Sequence, residues 1–229
     1  MQGNRSYADG CGAARALDIV GERWALLVVR ELLLGPKRFT DLRAGLPGIS
    51  PNVLSQRLDH LERFAVVRRR KLAPPAGSWV YELTDWGREL EQAIIALGRW
   101  GARSPFLGGE AAHLSVDSIV LSLRTMFDAA AAKGVTGSYE LRFGEERFRA
   151  EVTDGQFEIV RGEAGRPDAA IATDPATLAA LVYEDLDLAE AERAGDAAVT
   201  GDAAALRQFF TLFTLPAPAP ADIAAGKAG

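Results

Sequence analysis

The chain has 229 residues, of which 48% are hydrophobic and 25% charged, and this composition excludes wholesale disorder. The formal net charge of −5 divides into +5 over residues 1–105 and −10 over residues 106–229, so we predict two domains. The negative net charge of the whole chain argues against a nucleic-acid partner. The positive net charge of the first half is compatible with one. One Cys excludes an internal disulfide, and one Cys with two His does not favour a zinc site. We predict no metal and no cofactor.

Charged residues interrupt every apolar stretch before it reaches the length that crosses a bilayer, as in Val28-Val29-Arg30-Glu31. Residues 1–10 are polar, lack the apolar core of a signal peptide and are expected to be flexible. We therefore expect a cytoplasmic protein with no membrane partner.

Helical spacing of apolar residues predicts a first helix over residues 12–34, which Gly35-Pro36 ends. The next segment, residues 37–39, is too short for more than a β-bridge. Thr40 is expected to be the N-cap of the short helix that follows it.

A Pro47-Gly48 turn leads to Ser50-Pro51, which predicts the start of a helix that runs to Arg63. This order of short helix, turn and longer helix is that of a helix-turn-helix. The outward face of the longer helix carries hydrogen-bonding groups that suit a DNA major groove, and Asn and Gln can each pair with adenine. These groups are Asn52, Ser55 and Gln56. A polar face that is merely solvated is the alternative.

Two strand-like segments, residues 66–72 and 79–83, flank a turn-rich tip and predict a β-hairpin. The first carries the basic run Arg68-Arg69-Arg70-Lys71, which can lie along a DNA backbone or minor groove. A basic edge that deters aggregation is the alternative. A helix over residues 84–100 completes the predicted order of helices and hairpin.

Five blocks within residues 11–100 carry a family resemblance: ALDIVGERW (16–24), GPKRF (35–39), LPGIS (46–50), LSQRL (54–58) and VYELT (80–84). This stretch resembles the HxlR family of winged helix-turn-helix regulators. The resemblance implies a bacterial transcription regulator that binds double-stranded DNA as a homodimer at a pseudo-palindromic operator. One departure is Phe64-Ala65-Val66, where the family commonly has a Gly-Leu-Val turn, which could alter the entry of the wing.

The resemblance also assigns roles to individual residues. The implied DNA contacts are Lys37, Arg38, Thr40, Ser50, Pro51, Asn52, Ser55, Gln56, Arg57, Arg70, Lys71 and Ser78. Arg57 lies on the flank of its helix, where it either contacts phosphate or packs. The family dimerises through its terminal helices, here residues 12–34 and 90–100, with Leu97 and Trp100 as interface candidates or as side chains packed within the protein. Cys11 lies where some members sense oxidants, and an inert Cys is the alternative.

The second half predicts one α+β domain, residues 114–215, between a linker at residues 105–113 and a disordered tail at residues 216–229. Its elements are a helix over residues 116–132, strands over 138–143, 147–152, 157–161 and 169–173, and helices starting at Asp174, Asp187 and Asp202. We expect an antiparallel sheet with helices on one face. No catalytic constellation stands out, so we predict no enzyme activity.

The segments FEIVRG (157–162), IATD (171–174) and GDAAVTGD (195–202) resemble the sterol-carrier-protein type 2 family. That resemblance implies an apolar tunnel for a hydrophobic small molecule, although a plain core is the alternative. The candidate ligand-binding residues are Leu121, Met126, Phe143, Phe148, Phe157, Leu178, Leu181, Val182, Leu206, Phe209, Phe210 and Phe213.

The sequence therefore predicts an effector-responsive regulator, with residues 11–104 as its winged helix-turn-helix domain. Three alternatives stay open. The second half could be a ligand-free dimerisation or partner-binding module, or the response could be a redox change at Cys11. In the third, the protein is a lipid carrier or an enzyme.

Overall fold

The computed structural model describes residues 6–75, 77–105 and 113–220. They form an α+β protein of two compact units, and the first runs to Ile94 and includes Ser115–Ser118. The second comprises the remaining described residues. Most of the predicted linker lies outside the described residues, so the domain boundaries stay a prediction. No described helix combines the length and the apolar character that crossing a bilayer requires.

The first unit has the element order of a winged helix-turn-helix. Its helices and strands are α1 Gly12–Val20, α2 Ala25–Leu32, α3 Phe39–Gly45, α4 Pro51–Arg63, β1 Val67–Lys71, β2 Trp79–Leu83, α5 Asp85–Arg88 and the start of α6, Leu90–Gly101. Leucines of α3 and α4 are buried with valines of α2 and the base of the hairpin in one apolar core. Burial of this shared face holds the two helices of the helix-turn-helix together.

The predicted first helix is interrupted. Residues 21–24 separate α1 from α2, and the last of them, Trp24, has a φ of 77°, in the left-handed region. A left-handed residue cannot continue a right-handed helix, so the apolar periodicity over residues 12–34 belongs to two helices.

The starts of the next two helices differ in how well the sequence predicts them. Ser50 caps α4 with Pro51 in its first turn, as predicted, and the Ser50 hydroxyl accepts a hydrogen bond from the Val53 amide at 3.3 Å. The prediction that Thr40 caps α3 is wrong. The cap is Arg38, whose amide donates to the Asp41 carboxylate at 3.2 Å.

The predicted hairpin and β-bridge are both confirmed. Strands β1 and β2 pair in antiparallel register from Val67–Leu83 at the base to Lys71–Trp79 near the tip. Lys37 adds an isolated bridge to Tyr81, with amide-to-carbonyl distances of 3.0 and 2.8 Å. The segment that leads into α3 is thereby fixed against the wing.

The second unit contains a mixed sheet, which corrects the antiparallel sheet that we predicted. Its strands are β3 Thr136–Phe143, β4 Glu146–Thr153, β5 Gln156–Arg161, β6 Ala169–Thr173 and β7 Ala197–Gly201, in the spatial order β5-β4-β3-β6-β7. Strands β3 and β6 are parallel, and the other neighbours are antiparallel. Strand β7 was not predicted.

Helices complete the second unit. They are the remainder of α6 and, from Ile119 onward, α7 Val116–Met126, followed by α8 Pro175–Tyr183, α9 Leu188–Ala194 and α10 Ala203–Phe210. Helix α7 ends earlier than predicted. Residues 216–220, predicted to be disordered, include two hydrogen-bonded positions: the Ala219 amide donates to the Arg103 carbonyl at 2.7 Å, and Arg103 Nε donates to the Ala217 carbonyl at 3.1 Å.

Candidate DNA-binding surface

Helix α4 presents a polar face to solvent above a buried apolar stripe. Leu54, Leu58 and Leu61 are buried in the core. The exposed residues of its first two turns are Pro51, Asn52, Ser55 and Gln56. Three of these four can hydrogen-bond to base edges, and the serine cap fixes where the helix begins.

Arg57 is the predicted contact of α4 that points away from this polar face. Only 15% of its side chain is exposed, and its Nη1 lies 3.4 Å from Glu22 Oε2. Packing on the flank of α4, one of the two roles considered for Arg57, is therefore what the structure describes.

The segment before α3 separates the predicted phosphate contacts into two groups. Arg38 and Thr40 are exposed, and the Thr40 hydroxyl donates to Asp41 Oδ1 at 3.1 Å. Lys37 is not available to a phosphate, because its Nζ donates to Glu31 at 2.8 Å and also to Asp117. The phosphate contact predicted for Lys37 is therefore not supported by its geometry.

Lys37 belongs to a buried polar cluster that the sequence analysis did not anticipate. Fully buried Glu31 also accepts hydrogen bonds from Arg30 at 2.9 Å and from the Ser115 hydroxyl at 2.7 Å. Burial lowers the pKa of Lys37, but the charges of Asp117 and Glu31 outweigh burial and leave the pKa raised. Because Ser115 and Asp117 lie about 80 residues away in sequence, no local pattern could have indicated this cluster.

The two faces of the wing differ in how their basic residues are engaged. On one face, Arg68 Nε lies 2.7 Å from Glu82 Oε1, and Arg70 Nε and Nη2 lie 3.0 and 2.9 Å from Oε2. Hydrogen bonds from Arg70 hold the pKa of the Glu82 carboxyl below its usual range. Arg70, a predicted DNA contact, is therefore already paired with a carboxylate.

The opposite face of the wing carries Arg69, Lys71, Trp79 and Tyr81. The Arg69 guanidinium lies 4.6 Å from the centre of the Trp79 ring. Lys71 is exposed, and Ser78 is half-buried with its carbonyl accepting the Leu72 amide at 2.8 Å. Trp79 was not a predicted DNA contact, and Arg69 was predicted only as part of the basic run and not as an individual contact. The two-residue alternation of strands places Arg69 and Lys71 on one face.

Cys11 is exposed at the N-cap of α1. The backbone amides of Ala13 and Ala14, at the start of the helix, lower the pKa of its thiol. The exposed thiol is thus placed where its thiolate is favoured.

Several apolar side chains of the terminal helices are exposed. Leu17 of α1 is 48% exposed, and Leu97 and Trp100 of α6 are 50% and 77% exposed. Helix α6 has no buried residue at all along its twelve described positions. A contiguous patch of such side chains marks an interface, whereas single ones are common on monomeric proteins.

The predicted ligand-binding residues of the second unit are mostly core residues. Ten of the twelve are buried, and Phe157 and Val182 are half-buried. Three of them form an aromatic cluster: ring centres of Phe157 and Phe213 lie 5.2 Å apart, and those of Phe209 and Phe213 lie 4.9 Å apart. Tyr139, which was not predicted, stacks on Phe209 at 4.3 Å.

A polar pair lies between α7 and α8. The Tyr183 and Ser122 hydroxyl oxygens are 2.9 Å apart, and burial raises the pKa of Tyr183 to about 12 against the opposing effect of this hydrogen bond. Tyr183 therefore stays neutral and can serve as a hydrogen-bond donor or acceptor beside the apolar core.

Comparison with known families assigns each half of the chain separately. A profile of the HxlR-like helix-turn-helix family matches residues 19–105. A profile described as Alkyl sulfatase C-terminal matches residues 110–219. The second half is thus similar to the C-terminal domain of alkyl sulfatases, where we expected the sterol-carrier-protein type 2 family.

Individual relatives and solved structures are each similar to one part of the chain. The HTH-type transcriptional regulator YvaP of Bacillus subtilis is 38% identical over 86 residues, which cover 38% of this chain and 80% of YvaP. The reduced form of the transcriptional regulator YodB from B. subtilis is 30% identical with a TM-score of 0.39, over 43% of this chain and 98% of YodB. The sec-alkylsulfatase Pisa1 from Pseudomonas sp. is 22% identical with a TM-score of 0.43, over 46% of this chain and 17% of the enzyme.

The fold and the exposed face of α4 define a winged helix-turn-helix protein of the DNA-binding class. Through residues 19–105, the chain belongs to the HxlR-like helix-turn-helix family of bacterial transcription regulators.

Proposed function

We propose that this protein binds a pseudo-palindromic operator in double-stranded DNA as a homodimer and that a hydrophobic small molecule modulates this binding. The observation that carries the DNA-binding part is the exposed Asn52, Ser55 and Gln56 face on a capped helix of a helix-turn-helix. Two such helices related by a dyad read half-sites about one DNA turn, or ~34 Å, apart. A regulator of this kind acts in the cytoplasm and needs no enzyme activity.

The proposed DNA contacts are of two chemical kinds, contacts to base edges and contacts to the phosphate backbone. Side chains that reach base edges carry the sequence information, whereas basic and hydroxyl groups around them bind phosphate. We assign base readout to Asn52, Ser55 and Gln56, and phosphate or backbone contacts to Arg38, Thr40, Ser50, Pro51, Lys71 and Ser78. Arg38 and Thr40 are both exposed just before or at the start of α3, which supports their assignment.

For the dimer, we assign the interface to α1 and α6. The exposed side chains of Leu17, Leu97 and Trp100 support this assignment, because burying each against a partner copy removes apolar surface from water.

For the effector, we assign an apolar site, of the sterol-carrier type, to the second unit. Support comes from the aromatic cluster around Phe157, Phe209 and Phe213 and from the match of this half to a domain of alkyl sulfatases. Such a ligand can regulate DNA binding only if its affinity differs between the DNA-competent and DNA-incompetent states.

A ligand-free second unit is the competing hypothesis, and one observation favours it: the aromatic rings of the cluster already contact one another. A redox response through Cys11 is a further candidate, favoured by the exposed thiol and its lowered pKa.

An operator selected from a random duplex library with the full chain allows a test of these alternatives. Gel shifts and sedimentation are expected to give two chains per duplex. At least one apolar class among fatty acids, alkyl sulfates, long-chain alcohols and sterols is expected to change the affinity severalfold. An unchanged affinity across the panel would refute the effector. The redox alternative is tested by repeating the gel shift after peroxide treatment of the wild type and of Cys11→Ser. If the response is a redox change at Cys11, peroxide should alter the operator affinity of the wild type only.

A further inference from the structure

We infer that DNA contacts the wing through one face of the hairpin, formed by Arg69, Lys71, Trp79 and Tyr81, and that Trp79 orients the Arg69 guanidinium for a phosphate. The inference rests on the proposed DNA-binding function and specifies its wing surface. It replaces Arg70, which the sequence analysis selected, with Arg69.

The strand register defines the two faces of the hairpin. Arg69 is opposite Tyr81 and Lys71 is opposite Trp79, so these four side chains share one face. At the base of the hairpin the same face continues into Val67 and Leu83.

Val67 and Leu83 are buried in the core that also contains the leucines of α4. The Arg69 amide, moreover, donates to Glu62 Oε1 in the last turn of α4 at 3.1 Å. The Arg69–Lys71 face is therefore the face on the side of the recognition helix.

Charge distinguishes this face from its opposite. Arg68 and Arg70 share the carboxylate of Glu82, which is itself 6% exposed and fixed by both. Within the described part of the chain, Arg69 and Lys71 have no carboxylate at ion-pair distance. Asp59 and Glu62 of α4 act electrostatically on Tyr81, which pairs with Arg69, and Glu62 accepts the backbone amide of Arg69 rather than its guanidinium. The positive charge that is free to neutralise phosphate is thus on Arg69 and Lys71.

The contact between Arg69 and Trp79 orients the Arg69 guanidinium for binding a DNA phosphate. Its Cζ lies 4.6 Å from the Trp79 ring centre and 5.9 Å from that of Tyr81, so the group leans toward the tip over an indole that is half exposed. Stacking restricts the rotamers of the arginine but leaves its in-plane N–H groups available. These can donate to two oxygens of one phosphate.

The salt dependence of the affinity for DNA tests this inference. No known operator is required, because phosphate contacts do not depend on the DNA sequence. The affinity of the full chain for a fluorescent duplex of mixed sequence is measured by anisotropy across a range of salt concentrations. The variants are Arg69→Ala, Lys71→Ala and Trp79→Ala, with Arg68→Ala and Arg70→Ala as matched controls from the same strand.

We expect Arg69→Ala and Lys71→Ala each to reduce the slope of log affinity against log salt by about 1. Trp79→Ala should weaken binding less than Arg69→Ala and add little to it in the double variant, because it acts through Arg69. The controls should keep the wild-type slope. Equal losses from both faces, or losses from Arg68→Ala and Arg70→Ala alone, would overturn the inference. A wild-type chain that shows no salt-dependent binding would instead refute the proposed function.

Discussion

Replacing Lys37 with methionine is expected to destabilise the first unit by about 3–5 kcal/mol, because it leaves two buried carboxylates without their shared cation. Glu31 is fully buried and the Asp117 side chain is 2% exposed, so water cannot take the place of the ammonium. Urea unfolding followed by Trp fluorescence measures the loss, since Trp24, Trp79 and Trp86 all lie in this unit.

A second substitution distinguishes charge from packing in this cluster. Because Asp117→Asn removes one of the two negative charges that Lys37 balances, the double variant Lys37→Met with Asp117→Asn should be more stable than Lys37→Met alone. If the double variant lost the sum of the two single effects, the cluster would not act as an ion-pair network. If Lys37→Met were as stable as the wild type, the ammonium would not be buried between these carboxylates.

Replacing Phe209 with alanine is expected to destabilise the second unit by about 3–5 kcal/mol through loss of apolar burial and creation of a cavity. Phe209 is fully buried, with the rings of Tyr139 and Phe213 at 4.3 and 4.9 Å. Hydrogen exchange of β3 to β5 measures the effect in the sheet, and Trp fluorescence monitors the first unit.

The matched control is Phe209→Leu, which keeps most of the apolar volume and should cost about 1.5 kcal/mol or less. If alanine were tolerated as well as leucine, then Phe209 would not be a core residue. Such an outcome would also favour a hollow second unit, and therefore the effector hypothesis.

Sequence reasoning succeeded where a structural feature is encoded within a few residues. Ser50-Pro51 specifies both the cap and the first turn of α4, and the polar positions that follow are the ones exposed. The aromatic and basic segments around the tip predicted the β1–β2 hairpin for the same reason.

It failed where the feature depends on distant partners or on unusual backbone conformation. Apolar periodicity continues through Trp24, but the backbone of residues 21–24, with its positive φ at Trp24, divides the helix. Strand β7 is short and pairs with β6, while β6 lies parallel to β3, a pairing that no local pattern specifies. Lys37 looked like a phosphate ligand because it stands in a basic segment, but Glu31 and Asp117 bind it instead.

Helix α4 is proposed to read the DNA sequence through Asn52 and Gln56. A comparison of binding affinities tests this proposal most directly. The dissociation constants of wild type, Asn52→Ala, Gln56→Ala and a control, Gln208→Ala at an exposed position of α10, are compared on the selected operator and on a scrambled duplex. We predict that the two α4 variants lose about 5- to 100-fold affinity for the operator and little for the scrambled duplex, while Gln208→Ala matches the wild type. Undiminished operator affinity in both α4 variants would contradict the account.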